Sequence, residues 1–265
     1  MKVAILCQEE PIFLGPFLRQ VISINPAGIA AVFIAGRRGA GERKGSLRER
    51  LQALRVFWLI MEPRDFFAML WLRFRARLLG TLDPHSIEGL ARKLGIPVQK
   101  IGDPNGLEFH QALRQTAPDI VLNQSECLLK RETLAIPRLG FVNRHASLLP
   151  QYRGRMACFW SHCAEKPRYG LTIHLIDAGV DTGPIIIQHE FKDVNPTWPY
   201  PKVMRRVCAD APGLFWKAMS ILENNEFVPA SQAPTGKPCK FPSLDEARLY
   251  CKVLADRRRK VQTDT

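Results

Sequence analysis

Short apolar runs recur along this chain, each too brief for a helix: VAILC (3–7), IAAVFIAG (29–36), PVQKIG (97–102), DIVLNQ (119–124), GFVNRH (140–145), GLTIHLI (170–176) and PIIIQHEF (184–191). Rich in Val and Ile and bounded by Gly, Pro, Asn or Asp, they predict β-strands. Between the early runs lie stretches of helical period, SIEGLARKLG (86–95) and LEFHQALRQTAP (107–118). Strands alternating with helices predict βαβ units and a parallel sheet covered on both faces. After residue 140 the strands follow one another with little helix between 170 and 191, which predicts antiparallel pairing at the end of the sheet. The expected fold class is α/β: a Rossmann-like, mostly parallel sheet with antiparallel final strands.

The same pattern sets boundaries. Residues 1–191 are expected as the main domain and 192–265 as a small, mainly helical C-terminal extension. In that extension WPYPKVMRRVCADAPGLFWKAMSILENNEF (198–227) reads as one long helix after a Pro-rich lead-in, and LDEARLYCKVLADRRRK (244–260) as a final basic helix. Residues 45–80 read as an inserted helical pair divided by Pro63, with Trp58, Phe66, Phe67, Trp71 and Phe74 among arginines. Their uncharged runs, VFWLIM and FFAMLWL, are too short to span a bilayer. The pair is expected to pack on the domain or at a homodimer interface, with peripheral membrane contact as the alternative open to a basic amphipathic helix.

Charge and composition narrow the partners. Against 25 Asp+Glu stand 38 Lys+Arg, a net charge of +13 that favours anionic partners without choosing among them. The seven cysteines are scattered with no C-x-x-C, so neither a zinc site nor a disulfide framework is indicated, and no metal is expected. KVAILC after Met1 is too short for a signal-peptide apolar region, and a cytoplasmic location is expected. CQEEPIFLG (7–15) lacks the G-x-G-x-x-G of dinucleotide enzymes. GRRGAG (36–41) lacks the G-K-[ST] ending of a P-loop and reads as a basic loop.

The candidate chemistry lies in two segments. In GFVNRHASLLPQYRG (140–154), Asn143 and His145 stand two apart on a strand and so share a face, with Ser147 following if the strand continues. In LIDAGVDTGPIII (175–187), Asp177 and Asp181 sit among glycines between apolar strands, in a loop that can close tightly around a ligand. A carboxylate beside the imidazole raises its pKa and keeps it protonated. Asn, a protonated His and Asp together suit acyl transfer to an amine. The first two donate hydrogen bonds to the oxyanion of a tetrahedral intermediate, and the third accepts the proton that the amine loses. No Ser or Cys nucleophile is required, since the amine attacks. His85, His110, His174 and His189 are expected to be packed or rim residues, while His162 lies on a predicted helix just past the motif, where it could reach the site.

NRHASLLPQYRG followed by GLTIHLIDAGVDTGPIIIQ resembles the folate-dependent formyltransferases, whose signature is N-x-H-x-S-L-L-P with a D-x-G-x-D-x-G-like loop downstream. The likeness is strong over about 119–191 and is not seen in 45–80. It implies the formyltransferase fold, with Asn143, His145 and Asp181 as the catalytic set and 10-formyltetrahydrofolate as co-substrate. It also implies that backbone from NQSECLL (123–129) and from 176–181 holds the pterin, which nominates Ser125, Glu126, Leu128, Asp177 and Val180 as folate-binding. The first of these loops departs from the family in carrying Gln124, Ser125 and Glu126 where relatives are small and apolar. Arg144, Ser147 and Arg153 flank the motif and are nominated for the acceptor side, the two arginines with structural ion pairing as the alternative.

The resemblance leaves the acceptor open. Transfer-RNA formyltransferases add a C-terminal β-barrel, whereas residues after 191 here read as helical, so nucleic acid is not the expected partner. The expected acceptor is a small-molecule amine, foremost a nucleotide-linked amino sugar, with glycinamide ribonucleotide, methionyl-tRNA or a lipid-linked amine as alternatives. A formyltetrahydrofolate hydrolase and a non-catalytic folate-binding protein are the readings of another class.

Overall fold

The computed structural model describes residues 1–10, 12–36, 46–80, 83, 86–233 and 236–263. In chain order it contains β1 (Val3–Cys7), α1 (Leu14–Ile24), β2 (Ile29–Ala35), α2 (Leu47–Ile60), α3 (Pro63–Leu79), α4 (Ile87–Lys93) and β3 (Val98–Ile101). Next come α5 (Leu107–Thr116), β4 (Ile120–Gln124), α6 (Arg131–Leu134), β5 (Phe141–His145), α7 (Ala157–Cys163), β6 (Tyr169–Leu175) and β7 (Ile185–Phe191). The described chain finishes with α8 (Tyr200–Ala209), α9 (Ala211–Glu223) and α10 (Leu244–Thr263). Every strand expected from the sequence is present, with ends within one residue of the apolar runs. Beyond Gly36 the glycine-rich loop lies outside the described residues, as does His85.

The sheet has seven strands in the order β3-β2-β1-β4-β5-β6-β7. Pairing is parallel from β3 through β5, and β6 and β7 join antiparallel. β1 is buried along its whole length, as a central strand covered on both faces must be. Its side chains alternate: Val3, Ile5 and Cys7 enter the larger core with α1 and α9, while Ala4 and Leu6 enter the smaller one with Phe33, Phe109 and Phe141.

The C-terminal stretch departs from expectation in two ways. The single long helix is two, α8 and α9, divided at Asp210. Pro212 has no N–H with which to extend the ladder of α8, and it stands in the first turn of α9 where no partner is needed. These helices also share the core of the main domain. Phe215, Ala218 and Met219 of α9 are buried with β1 and α1 residues, and Trp216 Nε1–H donates to the carbonyl of Val21 at 3.1 Å.

Helix α1, not anticipated from LGPFLRQVISI with its Gly15 and Pro16, is held from outside its own sequence. The Glu10 carboxylate accepts the N–H groups of Ile12, Phe13 and Leu14, each at 2.8 Å, satisfying donors that a helix start leaves orphaned. The inserted pair forms as expected. Ser46 and Glu49 make a reciprocal cap at the start of α2, and Pro63 opens α3. α2 packs along α10, and Cys251 Sγ donates to the Leu59 carbonyl at 3.3 Å.

Candidate active site

The sheet itself opens the site. β5 pairs with β4 only through Phe141 and Val142, so beyond Val142 the two strands part at their carboxyl ends. Ligands on open α/β sheets bind beyond these ends. On its other side β5 stays paired with β6, with Asn143 opposite His174 and His145 opposite Thr172. Cross-strand partners share a face, so Asn143, His145 and His174 project together.

Asp181 completes the cluster from the β6–β7 loop. Its Oδ1 accepts from Asn143 Nδ2 at 3.1 Å and lies 3.5 Å from His174 Nε2. Its Oδ2 accepts the Gly154 N–H at 2.7 Å and lies 3.4 Å from His145 Nδ1. Asp181 has φ of 51°, in the left-handed region where Asp is among the few tolerated side chains. Three anchors hold the loop there. Asp177 Oδ1 accepts from Gly179 N at 2.9 Å and Thr182 Oγ1 at 2.6 Å; Arg153 Nη1 reaches the Val180 carbonyl at 3.4 Å; Gln232 Nε2 donates to the Gly183 carbonyl. At Gly183 a Cβ would fall directly on the Leu175 carbonyl, so only glycine lets the loop pack this closely. Of the two aspartates, Asp177 therefore shapes the turn and Asp181 faces the histidines.

Asn143 is oriented from two sides. Gln124 Nε2 donates to its Oδ1 at 2.6 Å, which turns its Nδ2 toward Asp181 and toward His174 Nε2 at 3.3 Å. Gln124 Oε1 in turn accepts from Arg144 Nε at 3.1 Å. His174 Nδ1 lies 2.8 Å from the Leu175 carbonyl, which fixes the ring with Nε2 turned toward Asn143 and Asp181.

The pKa of His145 runs against expectation. Its ring is buried, its Nε2–H donates to the Tyr152 carbonyl at 2.9 Å, and its Nδ1 faces Asp181. Burial pushes its pKa down; the Asp181 carboxylate pulls it up but does not outweigh burial, and the balance lies below the usual histidine value. The bond to Tyr152 fixes the ring with Nδ1 turned toward Asp181. For Asp181, burial would raise the pKa. The hydrogen bond with His174, the His145 ring and the Gly154 N–H together overcome this and hold the carboxyl well below the usual carboxylate range. The result is a fixed carboxylate beside a buried imidazole and a fixed amide.

The other nominated residues divide. Ser125 gives its N–H and hydroxyl to Asn123 Oδ1, at 2.9 and 2.7 Å, and shapes the turn after β4. Glu126 pairs with Arg155 at 3.1 Å across the mouth between the two loops, and Leu128 is 71% exposed at the rim. The three residues nominated for the acceptor side each have partners within the protein. The strand ends at His145, and the buried Ser147 gives its hydroxyl to the Gln151 carbonyl at 3.0 Å. Arg153 is buried and clamps the Val180 and Gly236 carbonyls, the latter at 2.7 Å. Arg144 points to the opposite face of β5, its guanidinium 4.7 Å from the Phe17 ring and 3.0 Å from Cys208 Sγ. His162 is drawn away to Tyr169 Oη at 2.7 Å and the Trp198 carbonyl at 3.0 Å. His110 and His189 pack as expected, against Thr133 and Phe191. Sequence reasoning missed Gln124 and His174 as neighbours of the site; the available signal for His174 was its place opposite Asn143 once the two strands pair.

Residues 104–218, which carry the whole cluster, match the family model described as formyl transferase. The chain is 31% identical over 154 residues to the methionyl-tRNA formyltransferase of Deinococcus radiodurans, covering 57% of this chain and 48% of that protein. It thus spans about half the length of the curated relatives it matches. Glycinamide ribonucleotide transformylase 1 from Symbiobacterium toebii superposes with a TM-score of 0.59 at 17% identity, covering 89% of this chain and 94% of that one. A sugar N-formyltransferase from Shewanella superposes with a TM-score of 0.57 at 14% identity, covering 96% and 88%. At these identities the structural likeness is one of fold. The family match thus falls on the segment that brings Asn143, His145 and Asp181 together.

Proposed function

We propose that this chain transfers the formyl group of 10-formyltetrahydrofolate to the primary amine of a small acceptor, and that the acceptor is a nucleotide-linked amino sugar. The observation that carries the reaction is the meeting of Asn143, His145 and Asp181 within hydrogen-bonding reach at the parted end of β5. The amine nitrogen attacks the formyl carbon and the carbonyl oxygen becomes an oxyanion. Asn143 Nδ2 and the His145 Nε2–H are the donors that can turn to it, the latter leaving the Tyr152 carbonyl as substrate binds. Asp181, ionised across the physiological range, receives the proton lost by the amine, directly or through water. The bond from carbon to N10 then breaks, N10 takes up a proton, and tetrahydrofolate leaves.

The folate reading is supported by the two loops that flank β5. The backbone of 123–129 and 176–181 borders the cluster, and exposed Leu128 offers an apolar face for a flat ring. Support for a small acceptor comes from the residues after β7. Those that are described form helices packed on the core, where the resemblance to transfer-RNA enzymes would call for a β-barrel. The solved sugar N-formyltransferase is compatible with this reading through its fold.

An absorbance assay of folate conversion tests the proposal, with nucleotide-linked amino sugars, glycinamide ribonucleotide and charged initiator tRNA offered separately. Tetrahydrofolate formed only when an amino sugar is supplied is the expected result. Turnover with either other acceptor alone would overturn the acceptor assignment. Formate release without any amine would replace transfer by hydrolysis.

A further inference from the structure

The outer face of α3 carries a continuous apolar stripe that stays largely exposed among the described residues. At about 100° per residue, Phe67, Trp71, Phe74 and Leu78 fall within an arc of roughly 60°. These four are 59%, 60%, 56% and 70% exposed, and Trp58 of α2, 49% exposed, extends the patch by stacking on Phe67. Met69, on the opposite side of the helix, is fully buried, so the stripe is the face turned away from the protein. Soluble surfaces scatter single apolar residues but seldom align large ones, and a continuous patch marks an interaction surface.

The charges along the helix choose the partner. α3 carries Arg64, Arg73, Arg75 and Arg77, and its one acid, Asp65, is paired with Arg205 of α8 at 2.8 Å. The helical period sets Arg64 beside one edge of the stripe and Arg77 about 60° beyond the other, with Arg73 farther round toward the buried side. All three are exposed. An anionic lipid surface meets both features: the apolar side chains enter the acyl boundary while the arginines reach the headgroup phosphates. The net charge of +13 adds long-range attraction to such a surface. Among the described residues no helix is long and apolar enough to cross a membrane, so the contact is peripheral.

We infer that the α2–α3 hairpin is a docking surface for anionic membranes, with the Trp58–Leu78 stripe laid into the lipid interface. The hairpin also borders the candidate site. Phe57 of α2 stacks on Phe241 at 5.5 Å, Arg155 lies 5.8 Å from the same ring, and its neighbour Gly154 gives its N–H to Asp181. A docked chain would therefore hold the mouth of the site near the lipid surface. The inference rests on the hairpin alone and does not depend on the formyl-transfer reading.

Co-sedimentation of the full chain tests it, using vesicles of phosphatidylcholine with or without an equal share of phosphatidylglycerol. The chain is expected to pellet with the anionic vesicles and to be released by high salt. The W71E/F74E variant, altered at two exposed positions, should bind more than about tenfold more weakly, since each change removes a large apolar group. R64E/R77E should lose the preference for phosphatidylglycerol, and circular dichroism should match the wild type for both variants. Failure of the wild type to pellet with anionic vesicles, or equal binding by W71E/F74E, would overturn the inference. So would a dimer in sedimentation velocity that W71E/F74E dissolves, because a second copy would then be what covers the stripe.

Discussion

The carboxyl-end rim of β5–β7 and the α2–α3 hairpin present opposite economies of contact. At the rim, polar groups are buried and over-determined: four neighbours converge on the two oxygens of Asp181, and Asn143 is held by Gln124, Asp181 and His174 at once. On the hairpin, large aromatic side chains are exposed, and α3 is tied to the rest through Met69, the Asp65–Arg205 pair and the Arg75–Asp83 pair. Buried polar groups are costly unless fully partnered, so a chain keeps such a cluster where its geometry serves chemistry. Exposed aromatics contribute little to folding, so their alignment is explained by what they meet outside the molecule.

The largest expected effect lies at the rim. His145→Ala should lower kcat by at least about a hundredfold, the scale for losing an oxyanion donor or a proton-transfer group, while folate binding followed by fluorescence persists. Trp71→Ala on the hairpin should change the rate in free solution less than about twofold, since surface substitutions away from special features are usually near neutral. A large loss from Trp71→Ala would break the contrast.

Next comes the loop. Gly183→Ala should destabilise the fold by about 1–3 kcal/mol, the range for overpacking, because its Cβ meets the Leu175 carbonyl and backbone cannot swing aside as a side chain can. Phe74→Ala, exposed, should stay within about 0.5 kcal/mol. Urea denaturation of the two variants measures both.

A smaller effect is expected one contact away from the cluster. Gln124→Leu removes the donor that fixes the Asn143 amide, and kcat should fall about tenfold with KM little changed, as the loss of one buried hydrogen bond implies. An unchanged kcat would show that Asp181 and His174 orient Asn143 unaided.

The smallest is a titration. By NMR, His145 should titrate below the ordinary histidine value because it is buried. In Asp181→Asn the value should fall further, since the carboxylate is what pulls it up. A rise in that variant would contradict the electrostatics described for the pair.

Much of this was legible from the sequence, for reasons that mark where legibility stops. Strands were readable because a central strand such as VAILC is buried on both faces and must be apolar throughout. Asn143 and His145 were readable from the period of two; the glycine-rich loop offered Asp177 and Asp181 alike, and the choice of Asp181 came from the resemblance to the formyltransferases. Gln124 and His174 were not, because their roles depend on where β5 leaves β4 and on the register with β6. Arg153 stands beside the motif in sequence, yet its partner Gly236 lies 83 residues away, which adjacency cannot reveal. The downward shift of the His145 pKa runs against the expectation for a related reason. A neighbouring carboxylate can be inferred from a motif, but the depth of burial that outweighs it belongs to the whole fold. Likewise, Ala211–Pro212 interrupts an apolar pattern whose period alone reads as one helix.

The account's central claim is that Asn143, His145 and Asp181 act as one unit on a formyl group. Single-turnover formyl transfer by Asn143→Ala, by Asp181→Asn and by the double variant tests it most directly. Groups that act as a unit are strongly non-additive. Each single variant should lose at least about a hundredfold and the double variant little more. Full activity in either single variant, or losses that simply multiply in the double, would contradict it.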